Sequence, residues 1–321
     1  MVLEKNISYS IICPVFNEGA YIKNLLELLL TIHPKPKEVF IVDGMSTDET
    51  RDILSRYAGK LPQLRILDNP KRVVPFALNA AIPLCTSEII VRIDAHTKYA
   101  NDYFEKILKT FTTTDADIVG GPTRTAFKES FQEAVAYVFN TPLGMGNSSV
   151  HDINFNGFTD SVTFGAWKKE IFEKTGLFDV QFKRNQDDEF HYRARSLGFK
   201  IYQNSDIKLW YYPRNTLKGL FKQYFEYGLY KPLVLKKNKS GLSIRHLVPT
   251  IFVLYLFSLY LLLSWSWYFM IPLILYISLI FYFALKATSS FKAKLHIPLV
   301  YPIVHLGYGI GFILGLRKRL I

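Results

Sequence analysis

Acidic residues are missing from the last third of this chain: after Glu226 no Asp or Glu occurs, while eleven Lys or Arg do. Over all 321 residues, 39 Lys and Arg stand against 27 Asp and Glu, so the net charge of +12 lies almost wholly in that stretch. Residues 1–226 are close to neutral. A nucleic-acid-binding domain would array basic residues with aromatic stacking partners on a folded surface, and the near-neutral part has no such excess, which excludes nucleic acid as a partner. Cysteine is also scarce. Cys13 and Cys85, each inside an apolar stretch, exclude a disulfide framework and a thiolate metal site, and fit buried thiols in a reducing compartment. Internal repeats and low-complexity segments are missing too. No secretory signal pattern opens the chain, because Met1–Asn6 is polar, so the amino-terminal part is expected in the cytosol.

What the last third does contain is apolar length. No charge interrupts residues 247–285 or residues 295–316. A spanning helix needs about 20 apolar residues, so the first run predicts two helices reversing near Ser264-Trp265-Ser266-Trp267, where tryptophan suits the headgroup interface. Lys236-Lys237-Asn238-Lys239 with Arg245, then Lys286, Lys292 and Lys294, then Arg317-Lys318-Arg319 flank the runs and by the positive-inside rule face the cytoplasm. A complete third crossing would put the final basic triplet outside. Pro298, Pro302, Gly307, Gly309 and Gly311 equally allow a re-entrant or interfacial path, and both arrangements stay open. The expected division is a soluble domain over 1–232 and a membrane-anchoring region over 233–321, with two to three hydrophobic helices, at the inner (plasma) membrane.

The first two hundred residues alternate strand and helix. Strands are predicted over 9–15, 39–42, 64–67, 89–93 and 117–119, and helices over 21–30, from Asp48 to Gly59, and from Pro75 through Ala81. Ser46-Thr47-Asp48-Glu49 has capping-box spacing. Such alternation predicts an α/β fold with a mostly parallel, doubly wound sheet, whose ligands bind outside the strands' carboxyl ends. Carboxylates stand at three of those ends: Pro14-Val15-Phe16-Asn17-Glu18, Val42-Asp43-Gly44-Met45-Ser46-Thr47-Asp48, and Arg92-Ile93-Asp94-Ala95-His96. A further cluster, Asp187-Asp188-Glu189, opens an amphipathic helix, where acids also complement the helix dipole for purely structural reasons. Taken in isolation, Asp43 and Ser46 fit a cap of the helix from Asp48 better than a ligand contact. Arg72 either reaches a phosphate or neutralises Asp68.

Taken in order, these motifs resemble the inverting glycosyltransferases of family 2, which have the GT-A nucleotide-sugar fold, over roughly residues 7–230. The resemblance implies nucleotide contacts from Pro14, Phe16, Asn17 and Glu18, with Asp43 bonding a uracil and Ser46, Arg72, Arg92 and Asp94 nearby. Arg92-Ile93-Asp94-Ala95-His96 matches the D-x-D region, so Asp94 and His96 would hold a divalent cation, manganese or magnesium. The imidazole in the third position suits manganese without excluding magnesium. Phe164–Glu170 and Thr175–Asp179 resemble the segment leading to the acceptor. Gln186-Asp187 stands where the family has Glu-Asp, and Arg193, six residues on, keeps the register that makes Asp187 the general base, with Gln186, Asp188 and Arg193 as acceptor contacts or supports. Within the family the likeness is to membrane-associated enzymes of bacterial exopolysaccharide assembly. That implies a nucleotide-sugar donor, a lipid-linked saccharide acceptor, and a catalytic domain on the cytoplasmic side.

Gln223-Tyr224-Phe225-Glu226-Tyr227 departs from the Q-x-x-R-W signature of processive synthases, with Glu for Arg and Tyr for Trp, which favours single-sugar addition. The polar stretch Gly144–Asp152 is read as a lid over the donor. Two other classes fit less well. A catalytically silent nucleotide-sugar scaffold would need neither Asp94 nor Asp187, and a nucleotidyltransferase would need a glycine-rich phosphate loop where Asn17-Glu18-Gly19-Ala20 stands.

Overall fold

The computed structural model describes residues 7–146, 149–238 and 244–319, in two compact units: 1–124 with 152–211, and 125–151 with 212–321. The first unit begins with β1 (Tyr9–Val15), α1 (Gly19–Thr31), β2 (Glu38–Asp43), α2 (Thr50–Ala58), β3 (Leu64–Asp68), α3 (Val74–Ala81) and β4 (Ile89–Arg92). It continues through β5 (Lys98–Tyr99), α4 (Tyr103–Thr113), β6 (Ile118–Gly120) and β7 (Thr123–Thr125). The chain enters the second unit as α5 (Ser130–Phe139) and α6 (Pro142–Met145). It returns to the first as β8 (Gly157–Phe158), β9 (Ala166–Lys168), α7 (Ile171–Thr175), α8 (Gln186–Ser196), β10 (Ile201–Gln203) and β11 (Leu209–Tyr211). Four helices complete the second unit: α9 (Leu217–Asn238), α10 (Ile244–Leu263), α11 (Ile271–Lys286) and α12 (Phe291–Arg317).

An eight-stranded sheet in the order β3-β2-β1-β4-β9-β6-β10-β8 forms the first unit's frame, with a small sheet β5-β11-β7 beside it. The predicted alternation is present, and β3, β2, β1 and β4 are mutually parallel. Two strands depart from the parallel order: β8 pairs antiparallel with β10 at the edge, and β9, from the segment read as leading to the acceptor, runs antiparallel between β4 and β6. Strand residues alternate between two cores, as a period of two requires. Ile11, Cys13, Val39 and Ile41 pack under α1, α2 and α4, while Ile12, Phe40, Val42 and Ile90 pack under α3, α7 and α8. Both thiols are free and buried. The register pairs Val15 with Asp43 and Asp43 with Asp68, so the loops that follow these strands leave along one edge.

In the second unit, α10 and α11 reverse around Ser264–Trp267 as predicted, and α12 is one continuous helix despite Pro298 and Pro302. At 1.5 Å per residue its 27 residues extend about 40 Å. Three helical segments, 246–263, 267–286 and 291–317, are long and apolar enough to cross a membrane. The third differs from the others. A Cβ on Gly307, Gly311 or Gly315 would lie 3.0, 2.2 or 2.4 Å from the carbonyl oxygen of Phe221, Phe225 or Leu229, and one on Gly228 would lie 2.1 Å from that of Tyr308. Small residues at this spacing let helices approach backbone to backbone. The pairs ascend together along both chains, so α9 and α12 run parallel. Gly309 faces the other way, toward Pro249 of α10.

Polar groups tie this unit together. Ser290 caps α12 and also donates from its amide and hydroxyl to Glu133 of α5 (2.8 and 2.6 Å). His305 of α12 bonds Tyr276 of α11 (2.8 Å) and the Leu143 carbonyl (2.9 Å). Residues of α5 and α9 pack with those of α12 in one buried apolar cluster of this unit. Of the expected lid, Gly144 lies in α6, Asn147 and Ser148 lie outside the described residues, and Asp152 is held by Gln203, which donates to its carbonyl (3.2 Å). Lys239 of the basic cluster also lies outside the described residues.

Candidate active site

Two loops at the sheet's carboxyl edge are zipped together by side chains. The amides of Asn17, Glu18 and Gly19, which would otherwise open α1 unsatisfied, donate to Ser46 Oγ, Thr50 Oγ1 and Asp48 Oδ2 in turn, each at 2.9 Å. Asn17 returns the favour by accepting from Thr47 N through Oδ1 (2.9 Å). The expected capping box does not form: Glu49 precedes α2 without a side-chain cap, Ser46 serves the neighbouring loop, and Asp48 divides its oxygens between Gly19 N of that loop and Thr50 N at the start of α2 (3.1 Å). Asp43, whose side chain is wholly buried, accepts from Ser46 N (3.1 Å), Ser46 Oγ (2.5 Å) and Arg51 Nε (2.5 Å). Arg51 also bonds Asp68, so Arg72 does not neutralise that residue. Arg72 instead lays its guanidinium 5.2 Å from the centre of the exposed Phe16 ring. Sequence reasoning missed Arg51. Its signal was a basic residue in the first turn of a helix, against the dipole, which calls for a carboxylate partner.

At the end of β4, Arg92 Nη1 donates to both oxygens of Asp187 (2.7 and 2.8 Å), and Nη2 reaches Asp94 Oδ1 (3.4 Å). The Arg92 side chain is only 5% exposed, with the Phe164 ring over it, whereas Asp187 is 26% exposed. The Asp94 amide donates to the Tyr99 hydroxyl at 2.7 Å. His96 Nδ1 lies 2.9 Å from Glu18 Oε1, joining the first and third motifs. Burial pushes the Asp187 carboxyl above the usual range; Arg92 opposes this, and the charges of Asp94 and Asp188 reinforce it.

The three acids of α8 have separate positions. Asp187 turns to Arg92, while Glu189, fully buried, is clasped by Arg193 through Nε–Oε1 (3.0 Å) and Nη2–Oε2 (2.9 Å). Arg193 also donates to the carbonyls of Thr175 and Leu177, so it anchors α8 to the turn after α7 and does not touch Asp187. Gln186 is buried at the helix start, and Asp188 is half-buried. His191, one turn beyond Asp187, is buried, bonds Ser161 (2.8 Å), and burial pushes its imidazole down to about 4. Of the sequence-predicted residues, the structure brings Asp94, Arg92 and Asp187 together, and joins Glu18 to His96 and Asn17 to Ser46. Half-buried Pro14 closes β1 beside Val42.

Residues 10–176 match the family described as Glycosyl transferase family 2. The chain belongs to that family. It is 34% identical over 242 residues to the succinoglycan biosynthesis protein ExoA of Rhizobium meliloti, covering 74% of this chain and 73% of the relative. It is 31% identical over 239 residues to a dolichyl N-acetyl-alpha-D-glucosaminyl phosphate 3-beta-D-2,3-diacetamido-2,3-dideoxy-beta-D-glucuronosyltransferase of Methanococcus voltae, covering 71% and 74%. Among solved structures, the mannosyltransferase PcManGT of Pyrobaculum calidifontis, in complex with GDP-Man and Mn2+, superposes with a TM-score of 0.65 at 18% identity, covering 92% of this chain and 87% of that one. That likeness bears on the fold, which is GT-A. As a family 2 glycosyltransferase, the chain has its matched region ending at Gly176, within the turn that Arg193 anchors, so the family match stops short of Asp187.

Proposed function

We propose that this family 2 glycosyltransferase moves one sugar, with inversion, from a UDP-linked donor to a hydroxyl of a lipid-linked saccharide in the assembly of a cell-surface polysaccharide. The observation that carries the reading is the pairing of Asp187 and Asp94 through Arg92 at the carboxyl ends of parallel strands. Asp187 takes the proton of the acceptor hydroxyl. The hydroxyl oxygen bonds the anomeric carbon as that carbon's bond to the diphosphate breaks, and the electron pair leaves with the nucleotide. A carboxyl raised by burial is a stronger base than an ordinary aspartate, and the Arg92 guanidinium beside it favours the ionised form. Phe16 and Arg72 supply a face for the base, and Asp43, Ser46, Asn17, Glu18 and Pro14 shape the loop that receives it. Asp94 and His96 fit a cation shared with the donor: among the described residues no group of three or more His, Cys, Asp or Glu could hold a metal alone, so diphosphate oxygens would complete the set. Manganese or magnesium would neutralise charge on the leaving diphosphate. Likeness to proteins of succinoglycan biosynthesis and of dolichyl-linked sugar transfer supports the acceptor class.

In this reading α10 and α11 cross the inner membrane, and α12 does not. Its partner α9 carries Lys218, Lys222, Glu226 and Lys231 alongside the glycine contacts, and such charges are costly in hydrocarbon. An interfacial α9–α12 pair also leaves Arg317-Lys318-Arg319 on the cytoplasmic side with the catalytic unit. A phosphatase reporter fused after the last residue should therefore read cytoplasmic, and a periplasmic signal would require a third crossing. For the chemistry, the detergent-solubilised protein is incubated with a panel of UDP-, GDP- and dTDP-sugars plus extracted membrane lipids, with and without chelator. The expected result is diphosphate release from a UDP-sugar that requires both lipid and divalent cation. Release from none of the donors overturns the proposal.

A further inference from the structure

We propose that Arg92 is a positioning residue that joins the donor side of the crevice to its base, holding Asp187 at one edge of its guanidinium and Asp94 at the other. This rests on the reading of Asp187 as base and Asp94 as donor-side carboxylate. The resemblance placed Arg92 among nucleotide contacts, but its geometry does something else. A nucleotide phosphate needs an exposed guanidinium edge, and this one is buried, with Nη1 on both oxygens of Asp187 and Nη2 turned to Asp94. Its Nε is buried with no hydrogen-bond partner, so the two outer nitrogens carry its polar contacts. The lid on this arginine is Phe164, whose ring centre is 5.4 Å from Cζ. Phe164 holds a left-handed φ of 60°, uncommon for a bulky residue, and Gly165 follows at 66°. Gly165 then accepts from the Arg92 amide (3.2 Å). The backbone at 164–165 is bent into a conformation that lays the ring on the guanidinium, and such local strain persists where the surroundings require it.

The consequence is a linkage between donor and base. Asp187 faces Arg92 and Asp94 from the end of β4 and Asp188 from its own helix; Arg92 also faces Tyr99, and His191 nearby is held neutral. Without Arg92, carboxylates would face one another with no counter-charge, and Asp187 would keep its proton. Arginine stays charged at every accessible pH, so it can hold this arrangement throughout turnover. A cation held at Asp94 with the donor diphosphate would offset the charge of that carboxylate and leave the guanidinium to Asp187, favouring the ionised base when the donor is in place.

The test uses the full-length protein in detergent with Arg92→Met and Arg92→Lys, two readouts, and Asp187→Asn as reference. One readout is the affinity for UDP with Mn2+ by calorimetry; the other is the pH profile of UDP release from the UDP-sugar that the wild type uses. We expect both variants to bind UDP with Mn2+ within about threefold of the wild type. Arg92→Met should lose about 100-fold or more in turnover, with its acid limb moved upward by about 1 unit or more. Arg92→Lys, which keeps charge but not the fork, should lie between. If UDP affinity falls as far as turnover in Arg92→Lys, Arg92 is a nucleotide ligand and the proposal fails. An unshifted pH profile in Arg92→Lys and Arg92→Met also overturns it. A fully active Asp187→Asn would instead sink the base assignment itself, whatever the Arg92 variants do.

Discussion

The sheet unit and the helical unit use unusual backbone positions in opposite ways. In the sheet unit, five residues that carry a Cβ, Asn17, Met45, Arg72, Phe164 and Asn185, hold left-handed backbone in loops around the crevice. In the helical unit, Gly228, Gly307, Gly309, Gly311 and Gly315 lie in ordinary helical conformation where a Cβ would strike or crowd the backbone of a neighbouring helix. A side chain in left-handed backbone costs about 1–2 kcal/mol relative to glycine, so keeping one implies that it does something. Asn17 holds Thr47, Arg72 covers Phe16, and Phe164 covers Arg92. In the helices it is the missing side chain that matters. Retained side chains mark the site, and omitted ones mark packing.

The largest effect should come from the site. Asp187→Asn keeps size and hydrogen bonding to Arg92 but cannot take a proton, and turnover should fall by about 100- to 10,000-fold. Asp188→Asn, one position off the Arg92 contact, should fall much less. Sugar transfer by the purified variants measures both, and a dead Asp188 variant beside an active Asp187 variant would shift the register by one. In wild type, activity should fall as pH drops through a midpoint above that of an ordinary aspartate, because the base must be ionised and burial raises its pKa.

The helical side of the comparison is tested by Gly311→Ala. Its new Cβ would meet Phe225 O at 2.2 Å, a backbone atom that cannot swing away, so α9 and α12 must separate. Overpacking of this kind costs about 1–3 kcal/mol. Thermal unfolding in detergent should show it, against Gly59→Ala as control, where a Cβ meets nothing within 4 Å. Equal melting of the two variants would remove the glycine-contact account.

Much of the site's layout was legible because strand ends and carboxylates are local signals. The loops after β1, β2 and β4 could be located from apolar runs and the polar residues that end them, and the helical reversal at Ser264–Trp267 from charge-free length. What stayed hidden depends on distance. The place of Arg51 in a first helical turn calls for a carboxylate without telling that Asp43 and Asp68 supply it, and nothing near residue 92 shows that its arginine turns away from the surface to reach a helix 95 residues on. The antiparallel insertion of β9 was hidden too, since a three-residue strand has too short a pattern to reveal its partners. Likewise the packing of α9 on α12 was hidden, because their glycine contacts need both helices at once.

A smaller effect is expected at His191. Its imidazole is held near 4, below the unfolded value of about 6.5, so the unfolded state binds the extra proton between those values. The stability it contributes is complete above about pH 6.5 and is lost as pH falls toward about 4, amounting to about 2 kcal/mol between about pH 7.5 and about pH 5. His191→Gln should flatten that dependence in melting curves of the full chain, and an unchanged slope would assign the titration elsewhere.

The smallest effect sharpens the comparison from the sheet side. Met45 has φ 59° and is among the exposed apolar residues, with its sulfur 3.9 Å from Arg51 Nη2. Its side chain makes a weaker contact than those of Asn17, Arg72 and Phe164. Met45→Gly removes the Cβ penalty but adds chain entropy to the unfolded state, and the two nearly offset, leaving a net change within about 1 kcal/mol of zero. Phe164→Gly relieves the same backbone penalty but uncovers Arg92, so it should lose turnover even if its melting temperature holds. If Met45→Gly instead destabilises by several kcal/mol, its sulfur holds Arg51 in place and Met45 belongs with the residues that shape the site. If Phe164→Gly is fully active, left-handed backbone in this crevice does not mark function.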